Sequence, residues 1–146
     1  MAITLRTPNT IWLGGPRTEI GDIAASETIL PGHLVERFNN GGIWRYRKHA
    51  TAAASTVRAV ATEQSMLNKG VDDAYAAGDL MEVTECATGC YMWMFIASGQ
   101  NIVAGQKLES AGDGTLRAFA AGVALFAATE TKANVTALTR IRVEAL

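Results

Sequence analysis

The sequence predicts an all-β protein: a small antiparallel β-barrel or sandwich with an extended N-terminal arm. Apolar runs of strand length alternate with turns that contain Gly, Asn or Pro. One turn unit occurs three times, at residues 31–36, 77–82 and 104–109. In each copy a small residue or Pro precedes Gly, one or two polar residues follow, and apolar residues lead into Glu. Because Gly adopts the positive φ of a tight turn, each copy is expected to begin a strand.

The length and net charge of the chain limit the classes of function that it can have. A chain of 146 residues favours a single domain, and 49% hydrophobic residues fit a globular core. A net charge of −1 gives no general attraction to nucleic acid or to an anionic membrane. No apolar run reaches the roughly 20 residues of a membrane span, and the N-terminus lacks the features of a signal peptide. We therefore expect no nucleic-acid partner, no membrane partner, and a chain that stays in the compartment where it is made.

The first twenty residues differ from the rest, so we divide the chain into an extended arm at 1–20 and a β-barrel domain at 21–146. Pro8, Pro16 and the Gly14-Gly15 pair discourage helix in the arm. Its candidate partner-binding side chains are Ile3, Leu5, Ile11, Trp12 and Leu13. An exposed segment with such side chains usually docks on a partner. The alternative is that it folds back on its own barrel.

The first half of the barrel domain contains three predicted strands. Residues 28–38 are predicted to be a turn and a strand, 39–42 (Asn-Asn-Gly-Gly) a hairpin turn, and 43–48 the returning strand. Residues 50–55 are Ala-rich and predict a loop or one helical turn, before a strand at 57–63. The segments expected to hold any helix are 50–55 and 72–76.

The second half begins with a polar loop at 65–73. Residues 80–85 alternate between polar and apolar, as a half-buried strand does, whereas 91–97 are apolar throughout and predict a central strand buried on both faces. Residues 111–114 (Ala-Gly-Asp-Gly) predict another hairpin turn. The last strand, 140–145, alternates clearly.

No motif predicts catalysis. The chain has no nucleophile elbow, phosphate-binding loop, zinc-protease motif or dinucleotide fingerprint. Asp72, Asp73 and Asp79 are the candidate acid–base or ligand-binding group, but no His or basic residue is placed to orient them. The favoured interpretation is that Asp72 and Asp73 cap a helical turn and that Asp79 lies on a solvated strand face. The segment 112–114 resembles one arm of a calcium loop, yet a hairpin turn explains it better. We expect no enzyme activity, no cofactor and no metal.

The two cysteines, Cys86 and Cys90, flank a short turn. A structural zinc needs four ligands, and only His33 and His49 could complete the set. Their C-x-x-x-C spacing also differs from the usual redox motif. In a reducing compartment, free thiols are expected.

Residues 44–49 (Trp-Arg-Tyr-Arg-Lys-His) form a basic, aromatic cluster. In a strand the aromatic side chains face one way and the arginines the other, which separates base stacking from phosphate binding. A protein-binding surface fits better. Trp44 and Phe119 are the candidate anchors of an oligomer interface, because the chain has more large apolar residues than one small core readily absorbs.

Four segments together resemble the head decoration, or capsid cement, proteins of tailed bacteriophages: 31–36, 70–83, 97–117 and 140–146. The resemblance covers about residues 29–146. It implies a small, β-tulip-like barrel that often forms homotrimers on the outer capsid surface. It also implies an N-terminal arm that engages the major capsid protein.

The leading hypothesis is therefore a structural virion protein, assembled in the bacterial host cytoplasm, that cements neighbouring major capsid protein subunits. One alternative is another phage structural β-protein, from a tail or fibre. A second alternative, from a different class, is a small barrel enzyme or lectin with its site at Asp72, Asp73 and Asp79.

Overall fold

The computed structural model describes residues 9–133 and 136–146, and nearly all of its regular structure is β. The eleven strands in these ranges are β1 (Trp12–Gly14), β2 (Arg17–Ala25), β3 (Leu34–Asn40), β4 (Ile43–Lys48), β5 (Ala59–Thr62), β6 (Leu80–Cys86), β7 (Tyr91–Ile96), β8 (Lys107–Ser110), β9 (Leu116–Ala118), β10 (Phe126–Ala128) and β11 (Thr139–Ala145). One 3-10 helix covers Ser65–Leu67. The all-β class predicted from the sequence is confirmed.

Five strands, in the order β2-β4-β3-β5-β6, close into what we call the first barrel. The β3–β4 hairpin pairs Asn40 with Ile43 across the two glycines 41 and 42, which confirms the turn predicted at 39–42. The predicted strand at 57–63 is observed as the shorter β5.

The remaining strands form what we call the second sheet, in the order β1-β7-β11-β10-β8-β9. A parallel pair, Ile96 with Leu116, joins β9 back to β7. β7 lies between β1 and β11 and buries most of its side chains, as predicted for a central strand. The β8–β9 hairpin confirms the turn predicted at 111–114.

In the second sheet, the β7–β9 pair closes a ring of five strands, β7-β11-β10-β8-β9. This ring and the first barrel each contain one parallel pair, β7–β9 and β2–β4. From the sequence, antiparallel pairing was predicted for all of the strands. Five strands that alternate in direction cannot close with antiparallel pairs alone, because the first and fifth strands point the same way. The odd number of strands therefore accounts for the difference.

The repeated turn unit is confirmed in all three copies. Gly32, Gly78 and Gly105 have φ values of 101°, 94° and 87°, and a strand begins two residues after each. This backbone conformation suits Gly because a side chain would be strained there.

Two hydrophobic cores lie side by side. The core of the first barrel contains Ala25, Ile29, Val35, Tyr46, Ala59, Ala61, Tyr75, Met81 and Val83. Leu34 and Val60 alternate with these residues along β3 and β5, so they face outward and pack into the larger core of the second sheet. The backbone N–H of Leu34 also donates to the carbonyl of Gly114 at 2.8 Å. The outer face of the first barrel thus becomes part of the second core.

Neither segment in which helix was considered is helical. Residues 50–55 form the loop that was predicted as the alternative to one helical turn, whereas the helical turn predicted at 72–76 was wrong. Across residues 50–55 the chain forms turns, since Ala53 has a φ of 62° and exchanges backbone hydrogen bonds with Ser110 and Val123 at 2.9 and 3.0 Å. In residues 72–76, Tyr75 forms an antiparallel bridge to Ile29 instead. Tertiary backbone pairing overrides local propensity in both places. The 3-10 helix lies in the predicted polar loop.

Cys86 and Cys90 form a disulfide, so the prediction of free thiols was wrong. Residues 87–89 make the tight turn between β6 and β7, and the carbonyl of Ala87 accepts from the N–H of Cys90 at 3.0 Å. This turn holds the two Cα atoms 5.6 Å apart, within the usual range for a disulfide. Local geometry decides the pairing, whereas the prediction relied on the redox state of a compartment. The bond links the first barrel to the second sheet.

Candidate interaction surfaces

The first candidate surface is the mouth of the first barrel. A cavity of about 400 Å³ opens there, and its lining residues are Val35, Glu36, Arg37, Trp44, Tyr46, Thr56, Val57, Ala59 and Glu85. Along β4, Trp44 and Tyr46 are two residues apart and so share the inward face. Tyr46 is fully buried in the core, while Trp44 stands at the open end with 58% of its surface exposed. Val57 is equally exposed beside it.

The polar groups of the mouth are incompletely paired. Arg37 Nη2 lies 3.9 Å from Glu85 Oε1, a long ion pair. The hydroxyl of Tyr46 is buried and has no hydrogen-bond partner among the described residues. Burial raises the pKa of Tyr46 to about 12, so the phenol is neutral at physiological pH. The mouth therefore exposes Trp44 and Val57 beside a loosely paired Arg37 and Glu85, an apolar patch with a polar rim, whereas the Tyr46 hydroxyl lies beneath the surface.

The second candidate surface surrounds the 3-10 helix. Met66, Leu67 and Leu80, which we call the Met66 ridge, are 98%, 65% and 56% exposed. Beside it runs a groove of about 430 Å³, which we call the acidic groove; its lining residues are Glu19, Gly21, Thr62, Glu63, Gln64, Ser65, Met66, Leu67, Leu80 and Glu82. This surface was not predicted from the sequence, because the composition of residues 65–73 indicated a polar loop.

The arm residues do not form one exposed set. Ile3 and Leu5 lie outside the described residues. Ile11 is fully buried in the core of the second sheet, and its carbonyl accepts from the N–H of Trp93 at 2.9 Å. Trp12 packs against the same core, with the Arg17 guanidinium 3.6 Å from its ring centre.

Residues 12–14 form β1 on the edge of the second sheet, and residues 17–20 already belong to β2. The described part of the proposed arm thus folds back on the molecule, which is the alternative left open above. Of the three candidate arm side chains that the structure describes, Leu13 has the largest exposed fraction, 44%.

The two candidate interface anchors lie in different parts of the fold. Trp44 is at the mouth of the first barrel, and Phe119 follows β9 of the second sheet. Phe119 is half-exposed, and its N–H donates to the carbonyl of Lys107 at 2.9 Å. Both side chains are available at the surface, but the fold does not bring them together.

The three aspartates have separate partners. Asp72 Oδ1 accepts from Arg140 Nη1, which is distant in the chain, at 2.9 Å. Asp73 accepts from the N–H of Gly70 at 2.7 Å, and Asp79 from the N–H three residues earlier at 2.9 Å, so these two close turns. The helical turn that Asp72 and Asp73 were expected to cap is not formed, and Asp79 holds a turn where a solvated strand face was expected.

A Ser-His-Glu set occurs elsewhere; it was not predicted from the sequence because its members are far apart in the chain. His49 Nδ1 lies 2.6 Å from Ser110 Oγ, and His49 Nε2 lies 3.6 Å from Glu36 Oε2. Burial, the largest effect, lowers the pKa of His49. Ser110 and His49 are both buried, so the hydroxyl is sealed from solvent in this conformation.

Within residues 9–133 and 136–146, no group of three or more His, Cys, Asp or Glu side chains is arranged to hold a metal ion. In the same ranges, no helix has the length and apolar character to cross a membrane.

Comparisons with known proteins identify a shared fold. No protein-family model matches the sequence, and no curated protein matches it. Among solved structures, the chain is similar to the N base of the head fiber gp8.5 of bacteriophage phi29, with a TM-score of 0.57 and 16% sequence identity. The alignment covers 90% of this chain and 98% of that chain. The likeness therefore extends over both the first barrel and the second sheet.

Proposed function

We propose that the protein is a structural virion protein that binds the outside of a phage capsid and cements neighbouring major capsid protein subunits. The observation that carries the proposal is the fold shared with a phage head fiber base over nearly the whole of both chains. The sequence resemblance to head decoration proteins points to the same part of the virion.

The architecture suits a scaffold exposed to mechanical load. Closure of the first barrel removes free strand edges, and such edges otherwise promote aggregation. Leu34 and Val60 of the first barrel pack into the core of the second sheet, so the halves cannot separate without exposing apolar surface. The Cys86–Cys90 disulfide joins them covalently, and we expect it to form after the particle leaves the reducing host cytoplasm.

The protein is proposed to act without catalysis, cofactor or metal. The Ser110–His49 pair is sealed inside the protein, so a substrate has no access to its hydroxyl. The three aspartates are committed to turns and to Arg140. Both arrangements fit a structural role.

We further propose a homotrimer. Trp44 and Val57 at the barrel mouth are the best-exposed candidate anchors, and Phe119 offers a second contact. Aromatic side chains at the centre of an interface commonly contribute most of its affinity. Sedimentation of free and capsid-bound protein tests this, and monomer in both states would contradict it.

The likeness to a head fiber base also favours a second candidate, a base that anchors a fibre to the head. The two roles differ in what they do to the shell. A cement protein bridges capsid subunits and so raises the temperature at which the shell opens by more than a fibre base does, because a fibre base does not bridge them.

The experiment mixes purified protein with DNA-free shells of the phage that encodes it. Cosedimentation measures binding, and a thermal melt of the shells with and without the protein separates the two roles. Binding with a raised melting temperature is expected. Absence of binding would contradict both roles.

A further inference from the structure

We propose that the Met66 ridge and the acidic groove form the docking surface for a protein partner that presents an apolar cleft rimmed by Lys and Arg. The inference rests on the proposed function, in which that partner is the outer surface of the capsid. The proposed contact lies on one side of the first barrel, at the side chains of the Met66 ridge and the acidic groove.

The ridge exposes apolar surface that its own fold does not use. Met66, Leu67 and Leu80 adjoin one groove, and each has more than half of its surface in water. Single exposed apolar residues are ordinary, but a contiguous set rimmed by charge marks an interaction site. The unbranched Met side chain also adapts readily to an irregular cleft.

The ridge is held in a fixed shape. The N–H groups of Leu67 and Lys69 both donate to the carbonyl of Gln64 at 3.1 Å, and the N–H of Asn68 donates to the carbonyl of Ser65 at 3.0 Å. Gln64 Nε2 donates to the carbonyl of Leu80 at 2.8 Å, which ties the turn to β6. Because the turn is already ordered, docking costs little conformational entropy.

The negative charge of the acidic groove indicates which charge a partner's surface must carry. Three carboxylates, from Glu19, Glu63 and Glu82, line it, and no Lys or Arg is among its lining residues. Arg17 pairs with Glu19 at 3.0 Å, and Thr10 donates to Glu63 at 2.5 Å. One arginine beside three carboxylates leaves the groove negative, so a complementary rim carries Lys and Arg.

The backbone keeps the groove open. β2 has an irregular register between Ile20 and Ile23, which places Gly21 opposite Glu82. A Cβ at Gly21 would lie 3.3 Å from Glu82 Oε1 and would crowd that carboxylate. β-bulges often redirect side chains beside functional sites, and this one leaves Glu82 facing the groove.

The test compares two variants of the whole chain. Met66→Gln/Leu67→Gln removes the apolar contact, and Ile43→Gln, on the β3–β4 hairpin, is a matched control because Ile43 is also exposed. Circular dichroism and thermal melting confirm that both remain folded. Cosedimentation with DNA-free shells is expected to show binding by the ridge variant at least about tenfold weaker, and by the control unchanged.

The charge is tested separately with Glu82→Gln, which is expected to flatten the decrease of affinity with salt. Shell binding by the unaltered protein together with equal binding by the ridge variant overturns this inference and leaves the proposed function intact. Absence of binding by the unaltered protein overturns both. Loss of self-association in the ridge variant, with shell binding retained, assigns the ridge to a second copy of this chain and also overturns the inference.

Discussion

Arg140 in β11 donates from Nε and Nη2 to the carbonyl oxygen of Pro31, at 3.1 and 3.0 Å. Nη2 also donates to the carbonyl of Val71 at 2.6 Å, and the guanidinium lies 4.4 Å from the ring centre of Phe95. The side chain is almost completely buried. One arginine of the second sheet thus satisfies the backbone of two loops that flank the first barrel.

Replacement of Arg140 by Met is expected to lower the free energy of unfolding by about 2–4 kcal/mol, because buried carbonyls lose a charged donor. Arg142→Met is the control: Arg142 is half-exposed on the same strand, and its loss is expected to cost less than about 0.5 kcal/mol. Urea denaturation measures both. Equal effects of the two substitutions would contradict the bridging role.

Stability is expected to fall as the pH drops from about 6.5 towards 4, partly through His33. Burial, and next the nearby Lys48, lower the pKa of His33 from 6.5 to about 4. The unfolded chain therefore binds a proton in this window that the folded protein does not, which favours unfolding as the pH falls. The full shift corresponds to a loss on the order of 3 kcal/mol below pH 4.

His33→Asn tests the source of this pH dependence. In the protein, His33 Nδ1 accepts a hydrogen bond from the N–H of Leu30 at 3.1 Å. The Asn side chain can accept the same hydrogen bond, but Asn does not titrate. Urea denaturation between pH 4 and 7 should show a smaller decline in the variant, with the part due to His49 retained. An unchanged decline would rule out His33 as a contributor.

The disulfide is expected to stabilise the protein modestly. Closing a loop of this length removes unfolded-state entropy equivalent to about 2 kcal/mol in the chain-entropy model. Cys86→Ser/Cys90→Ser should lower the free energy of unfolding by that amount, and protein from released virions should show no reactive thiol until it is reduced. Two reactive thiols in unreduced virion protein would contradict the pairing.

Shortening the side chains of Ile11 and Leu13 to Ala is expected to lower the stability of the protein by very different amounts. Ile11→Ala removes a fully buried side chain and should cost about 2–5 kcal/mol of stability. Leu13→Ala removes a half-exposed one and should cost less than about 0.5 kcal/mol. Thermal or urea denaturation of both compares the two parts of the arm. A small effect at Ile11 would mean that the segment is not integral to the second core.

The sequence predicted the strands and turns well because those features are local. The glycines of the repeated turn unit, and the hairpin at 39–42, adopt the conformations that their residue types favour. The unbroken apolar run from Tyr91 correctly predicted a central strand.

Contacts between residues that are far apart in the chain were not predicted from the sequence. Closure through parallel pairs, the burial of Ile11, and the contact of His49 with Ser110 depend on how distant strands meet. Likewise, the exposure of Met66 follows from where the 3-10 helix projects, which local pattern does not specify. Trp44 was proposed as a surface residue because the chain has more large apolar residues than one small core absorbs, and its side chain is indeed exposed.

Electron cryomicroscopy of DNA-free shells mixed with the protein is the most direct test that it decorates a capsid. We expect density for the first barrel and second sheet on the outer surface, bridging neighbouring major capsid subunits in three-fold clusters, with the Met66 ridge facing the shell. Bare shells at saturating protein concentration would contradict this expectation.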